Sequence, residues 1–469
     1  MSAPCQKIFG NIFRFKTSFS AVCSRNIAAK TSPSLASDLK WNVASQRYSS
    51  SGGSSSQHFF VKDANIPTPV QLRVKLKELI GQQQLWSEKH SEQSSTPLPE
   101  ATSQADLPMR TMSDSYWEAL IPLGSNTALR DMYLNFHKTV RFGKIMEDLD
   151  TFAVWVSYSH NTVEREGVQT MSPLSIVTAL VDRVDLREKL IRSDCDMKLT
   201  GRVTWVGKTS MEVTMHLLQE TEKDKWLQLL TAKFLMVARD QNKKAAFVNP
   251  LKATTPEEEE ILKMGEANKE QRMLEASQSL LKTIPTKDES VLVHDMFVST
   301  LDPSVHSFRH RVLPKDAIWM NDGALKTVII CHPQERNIHN KIFGGFLMRQ
   351  AFELAWANAN VFSQRRPFII AVDDIAFKRV VAIGSLLFLS SQVVYTSGTK
   401  LQIRVHAEVV DPMVGEQETT NTFHFTFSTI GNVPTVVPNS YAETMLYLDG
   451  KRHFDESMKY VSSDEEIGL

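Results

Sequence analysis

Gly143-Lys144-Ile145-Met146, followed by Phe152-Ala153, and Gly345-Phe346-Leu347-Met348, followed by Leu354-Ala355, stand in register without gaps, 202 residues apart. On a helical wheel over 143–156, Ile145, Leu149, Phe152, Ala153 and Val156 fall on one apolar face, so each copy opens on an amphipathic helix. An internal repeat changes the fold expectation from one core to two. Outward from each helix comes a short strand, at 179–184 in one copy and 369–375 in the other. Next come residues 201–215, with a Gly207-Lys208-Thr209-Ser210 turn, and residues 386–410, with a Ser397-Gly398-Thr399-Lys400 turn. Each copy closes on an apolar run ending in Val248-Asn249-Pro250 or Val436-Val437-Pro438. One helix followed by strands joined through tight turns reads as α+β, an antiparallel sheet wrapped around a central helix.

The chain has 469 residues, 42% of them hydrophobic, enough for two or three cores. Lys plus Arg and Asp plus Glu balance at 53 each, so no global field favours nucleic acid or an anionic membrane, and a polyanionic ligand needs a local patch. Cys5, Cys23, Cys195 and Cys331 are scattered, which argues against a disulfide scaffold and a zinc site. No apolar run reaches the roughly 18 to 20 residues that cross a bilayer, so stable membrane insertion is not expected.

Residues 1–50 differ from the rest. Arg14, Lys16, Arg25, Lys30, Lys40 and Arg47 are opposed by the single acid Asp38 among many serines, the composition of a mitochondrial presequence. An amphipathic helix fits around residues 8–19, and Arg47-Tyr48-Ser49-Ser50 resembles a matrix processing site. The plainer alternative is a disordered basic tail. Residues 51–111 read as a helix at 70–86 and a polar linker at 91–108. A charged connecting helix is expected over 252–290, with Thr255 as N-cap, Pro256 as first helical residue and Glu258 as the returning capping-box acid.

The stretch Asn337-Ile338-His339-Asn340-Lys341-Ile342-Phe343-Gly344-Gly345-Phe346-Leu347-Met348 resembles the Asn-x-x-Gly-x-x-Phe-Gly-Gly-x-Leu-Met signature of hotdog acyl-CoA thioesterases, with Asn340 where that family has a Gly. Arg141-Phe142-Gly143-Lys144-Ile145-Met146-Glu147-Asp148-Leu149-Asp150 is similar to the first-domain helix of the mitochondrial tandem members. The resemblance spans about residues 112–454. It implies two tandem hotdog domains packed as a double hotdog, at 112–251 and 291–454, with a tail at 455–469. It further implies hydrolysis of fatty acyl-CoA to free acid and CoA without a cofactor.

Thioester hydrolysis needs a carboxylate beside a water, a donor for the developing oxyanion and a group that orients the water. Asp150 borders the apolar face and has no cation among its helical neighbours, whereas Asp148 has Lys144 four residues back. From the wheel alone Asp150 is either structural or kept for chemistry; the resemblance puts it at the catalytic position. Its counterpart is Phe352, and the adjacent Glu353 reads as half of a surface ion pair with Arg349. Gly344 or Gly345, at a helix start where N–H groups lack partners, can donate to the thioester oxygen, or can merely permit a tight turn. Asn337 is an amide able to hold the water or the carbonyl, or is a plain turn residue. The resemblance sets Asn337 and Gly345 of one half against Asp150 of the other, giving one active site per chain. The reciprocal set, Asn135 and Gly143 against Phe352, lacks a base.

Arg141, Lys341, Arg349, Lys378 and Arg379 are candidates for the CoA phosphates, solvated charges being the alternative. The Gly207-Lys208-Thr209-Ser210 turn lacks the upstream glycine of a Walker motif. His137 and His339 occupy matching loops and raise a hotdog enoyl-CoA hydratase with a His base; a lone loop His is otherwise expected to be solvated. A non-catalytic acyl-CoA-binding regulator is the other alternative. The family implies a homo-oligomer, a trimer of double hotdogs or a dimer, in the mitochondrial matrix or associated with the inner membrane.

Overall fold

The computed structural model of the protein describes residues 66–79, 103–165, 168–171, 174–186, 191–222, 225–240, 242–305, 307–337 and 339–465. The basic leader expected over 1–50 lies outside the described residues, as do 80–102 of the expected helix and linker. Seven α-helices lie within them: α1 (Pro69–Leu79), α2 (Thr127–Tyr133), α3 (Phe142–His160), α4 (Pro256–Gln278), α5 (Lys287–Ser299), α6 (Gly344–Ser363) and α7 (Tyr441–Glu465).

Ten strands form one antiparallel sheet. The first five are β1 (Trp117–Ile121), β2 (Ser175–Leu186), β3 (Met197–Val206), β4 (Ser210–Glu222) and β5 (Lys225–Arg239). The second five are β6 (Ala324–Ile330), β7 (Phe368–Phe377), β8 (Leu386–Ser397), β9 (Lys400–Val410) and β10 (Gln417–Ser428). Across the sheet their order is β6-β8-β9-β10-β7-β2-β5-β4-β3-β1. Read from either edge inward, both halves use the same order of connection, so a pseudo-two-fold axis passes between β2 and β7. There Val181 faces Ile375 and Val184 faces Val372.

The repeat extends into local detail. Asn135 Oδ1 accepts from the N–H groups of His137 and Thr139, and Asn337 Oδ1 accepts from those of His339 and Lys341. Lys138 (φ 59°) and Asn340 (φ 53°) are left-handed at matching loop positions. Asn340 therefore adopts the backbone conformation that the glycine of the motif would supply, which Asn tolerates better than most residues. A register shift also recurs, between Thr178 and Leu180 on β2 and between Ile369 and Ala371 on β7.

Alternation with period two turns Met211, Val213, Met215 and Leu217 of β4, and Phe423, Phe425 and Phe427 of β10, into the core, where all are fully buried. Against this face lie α3 and α6, in contact with each other. The apolar stripe expected on α3 proves too narrow a description. Nearly the whole helix is buried, because the sheet, α6 and α1 cover different sides of it, α1 through Leu72 and Leu76.

Several boundaries differ from expectation. The connecting region holds two helices, and α5 crosses residue 290 because a Thr286–Glu289 capping box starts a new helix there. At α4, Thr255 caps Glu258 N–H as expected, but the Glu258 carboxylate reaches back to Thr254 N–H. Residues 455–465 are not a loose tail; they continue α7, which buries Leu448 and Phe454.

Candidate active site

Asp150 sits midway along α3 with 1% of its surface exposed. Its Oδ2 accepts the backbone N–H of Gly345 at 2.7 Å, and its Oδ1 accepts the hydroxyl of Thr178 at 2.6 Å. The carboxylate of one half is thus held at the start of α6 in the other. Burial pushes Asp150 up to about 6, while the Thr178 and Gly345 hydrogen bonds and the Arg73 charge hold it down and Glu147 raises it further. Such a group is ionised at neutral pH yet basic enough to accept a proton.

The two glycines do different things. A Cβ on Gly345 would come within 2.9 Å of Glu147 Cα and 3.2 Å of Asp150 Cβ, so glycine lets the helices close onto each other. Its N–H is used by the carboxylate. Gly344 N–H, one residue earlier at the positive end of α6, has no acceptor among the described residues. A Cβ there would lie 3.1 Å from Asp150 Oδ2 and 3.3 Å from the Phe377 ring, filling the approach to the carboxylate.

Asn337 Oδ1 closes its own loop by accepting from the His339 and Lys341 N–H groups. His339 departs from expectation. Its ring is half-buried, with Nε2 3.3 Å from Tyr158 Oη and 3.1 Å from Ser175 Oγ, and burial lowers its pKa. His137 is exposed.

The basic candidates divide. Arg349 does not pair with Glu353; its Nε lies 3.1 Å from buried Glu147, and Lys144 Nζ lies 2.7 Å from the same carboxylate. Glu353 instead takes Arg141 at 2.5 Å, across the two halves. The local i, i+4 rule fails here because α3 and α6 are close enough for tertiary partners to win. Lys341 is half-buried in the Asn337 loop, whereas Lys378 and Arg379 are exposed immediately after Phe377, whose ring abuts Gly344. Among the described residues, Arg379 makes one long, exposed ion contact, 3.7 Å to Glu418.

Sequence reasoning missed Thr178 and Arg73 as neighbours of Asp150. Arg73 comes from α1, outside the repeat; its Nη2 donates to Thr151 at 3.3 Å and its guanidinium lies 4.8 Å from the centre of the Phe343 ring. Thr178 carries only one usable signal, a hydroxyl on a strand facing the helix. Among the described residues, folding also assembles one group able to hold a metal, His424 of β10 with Asp449 and His453 of α7. There burial opposes charge on His453, but its 2.8 Å contact with Asp373 and the nearby Asp449 and Asp374 outweigh it and push the pKa up to about 9. A proton thus balances those carboxylates.

No protein-family model matches the chain. It is 52% identical over 388 residues to the mitochondrial acyl-coenzyme A thioesterase 9 of Bos taurus, covering 82% of this chain and 88% of that protein. The human protein of the same name is 51% identical over 389 residues, with the same coverage. Acyl-coenzyme A thioesterase 10 of Mus musculus, also mitochondrial, is 48% identical over 388 residues, again covering 82% of this chain and 88% of its own. Among solved structures, a Staphylococcus aureus acyl-CoA hydrolase with butyryl coenzyme A, coenzyme A and coenzyme A disulfide has a TM-score of 0.31 at 20% identity, over 32% of this chain and 96% of its own. A putative oleoyl thioesterase from Lactobacillus plantarum has a TM-score of 0.40 at 10% identity, over 71% of this chain and all (100%) of its own.

Proposed function

The chain belongs to the mitochondrial acyl-coenzyme A thioesterase 9 family, and from that premise we propose that it hydrolyses fatty acyl-CoA to free acid and CoA in the mitochondrion, with Asp150 activating the water. The observation that carries the reading is the Asp150 carboxylate gripped by Thr178 and by Gly345 at the start of α6. We read the two sheet halves with α3 and α6 as tandem hotdog domains, about residues 112–251 and 291–454, packed as a double hotdog. Residues 1–50 are then the leader that directs the protein to the matrix.

In this mechanism water attacks the thioester carbon and gives its proton to Asp150. The carbonyl oxygen becomes anionic and is met by Gly344 N–H at the helix N-terminus, a type of interaction typically worth about 3 kcal/mol. Asn337, in the loop before α6, is the amide assigned to hold the carbonyl or the water. Collapse breaks the carbon–sulfur bond, and the departing thiolate takes the proton back from Asp150. Lys341, Lys378 and Arg379 are the cations assigned to the CoA phosphates; Arg141 and Arg349 are engaged in ion pairs. The Asp150 carboxylate held from both halves supports this reading over a His-based hydratase.

Exposed Val328 and Ile330 on edge strand β6 support association of double hotdogs into a trimer or dimer, which light scattering reads directly. The deciding experiment is thiol release from acyl-CoA by wild type and Asp150→Asn. A drop of about 10²-fold or more in the folded variant supports the assignment. A variant as fast as wild type overturns it.

A further inference from the structure

The second copy of the repeat leaves a matching place on the other side of the axis, where Gly143 meets Phe352 as Gly345 meets Asp150. A Cβ on Gly143 would lie 3.5 Å from the Phe352 ring. The matching register shifts identify Ile369 as the counterpart of Thr178. Carboxylate and hydroxyl are thus both replaced by apolar side chains. The space beside them is not filled, however; a cavity of about 230 Å³ lies there, lined by Asn135, Gly143, Phe352 and Ile369 among others.

The cavity has two zones. Its floor is apolar, with Phe142, Phe352, Leu186, Ile191 and Ile369. Its mouth carries an aromatic cluster: the Phe136 and His137 ring centres are 3.9 Å apart, with Trp356 at 5.8 and 6.3 Å from them. Phe136 is 77% exposed, a poor place for a phenyl ring in water unless something stacks on it. Beside it Arg366 donates to Thr139 Oγ1 at 3.2 Å and lies over the Phe368 ring, holding a guanidinium at the rim.

An apolar floor, a stackable aromatic lip and a rim cation match, in order, an acyl thioester arm, an adenine ring and a phosphate. We propose that this second cavity binds a CoA thioester without hydrolysing it, so that each chain carries one hydrolytic and one purely binding site. Water there would find no carboxylate at the place of Asp150, and Glu353, which also lines the cavity, is tied to Arg141, so the bound ligand would persist. The proposal rests on the reading of Asp150, Thr178 and Gly345 as the hydrolytic site, because the second site is defined as its symmetry mate.

The test is calorimetric titration of the full chain with S-(2-oxopentyl)-CoA, a ketone analogue of butyryl-CoA that cannot be hydrolysed. Two equivalents per chain are expected for wild type. Phe136→Ser combined with Arg366→Glu should reduce this to one while thiol release from butyryl-CoA stays within about two-fold of wild type. One equivalent in the wild-type protein, or two in the variant, overturns the proposal. Failure of the hydrolytic reading looks different: no thiol release by wild type, whatever the stoichiometry.

Discussion

Gly345 N–H and Asp150 Oδ2 are 2.7 Å apart in space and 195 residues apart in the chain, so the central contact of the site exists only when both halves are folded and docked. The carboxylate is held at a cost. It is almost wholly buried, and its pKa is raised to about 6 from 3.8.

Asp150→Asn should therefore be inactive and more stable. A folded-state pKa above the unfolded value means the native state binds the proton more tightly, so the ionised group lowers stability above about pH 6 and has no such effect below the unfolded pKa. Asn removes that charge and should raise unfolding free energy by about 1–3 kcal/mol at pH 7, with the gain vanishing toward pH 4. Urea denaturation at the two pH values measures it; equal differences at both would refute the sign.

Thr178→Val removes a hydrogen bond that favours the ionised form. The acid limb of the rate profile should move to higher pH, with kcat lowered at neutral pH. A profile over pH 5–8 measures the shift; a shift to lower pH contradicts the role given to Thr178.

Glu147 is buried and shared between Lys144 and Arg349. Arg349→Met leaves Lys144 as its sole ion-pair partner here and should cost about 2 kcal/mol, less than the roughly 3–5 kcal/mol typical of a buried charge stripped of its only partner. Adding Glu147→Gln should recover part of the loss. A double-mutant cycle with no coupling would show that the pair contributes nothing specific.

At Asn340, φ 53° is tolerable for Asn, favourable for Gly and strained for a β-branched residue. Asn340→Gly should leave the melting temperature within a few degrees of wild type. Asn340→Val should destabilise by about 1–3 kcal/mol.

Deleting residues 1–50 should leave the thiol-release rate unchanged and the protein in the cytosol. Cell fractionation checks this, and import of the truncated chain would contradict the leader assignment.

The central helices α3 and α6, the hairpins and the repeat itself were legible because each rests on local periodicity and turn chemistry; α2 and α7 were not. Asp150 was reachable from its place beside the apolar face of α3 together with the family motif. Partner choice was not. The Arg349–Glu353 pairing obeyed helix spacing and was overruled by Glu147 and Arg141 from the facing helix. Arg73 and Thr178 reach the carboxylate from α1 and β2, whose positions depend on how the whole molecule closes. The second cavity was equally hidden, since Phe352 alone told of a lost base and not of the space left around it.

The Glu147–Arg349 contact sits where the pseudo-axis brings each residue against its own counterpart. In a dimer of two identical halves that crossing would force two carboxylates or two guanidiniums together, a repulsion with no escape by rotation. Covalent duplication frees the position to hold opposite charges. Each half is thereby made the preferred mate of the other and a poor mate for itself, so the tether between them protects the correct pairing as well as enforcing it.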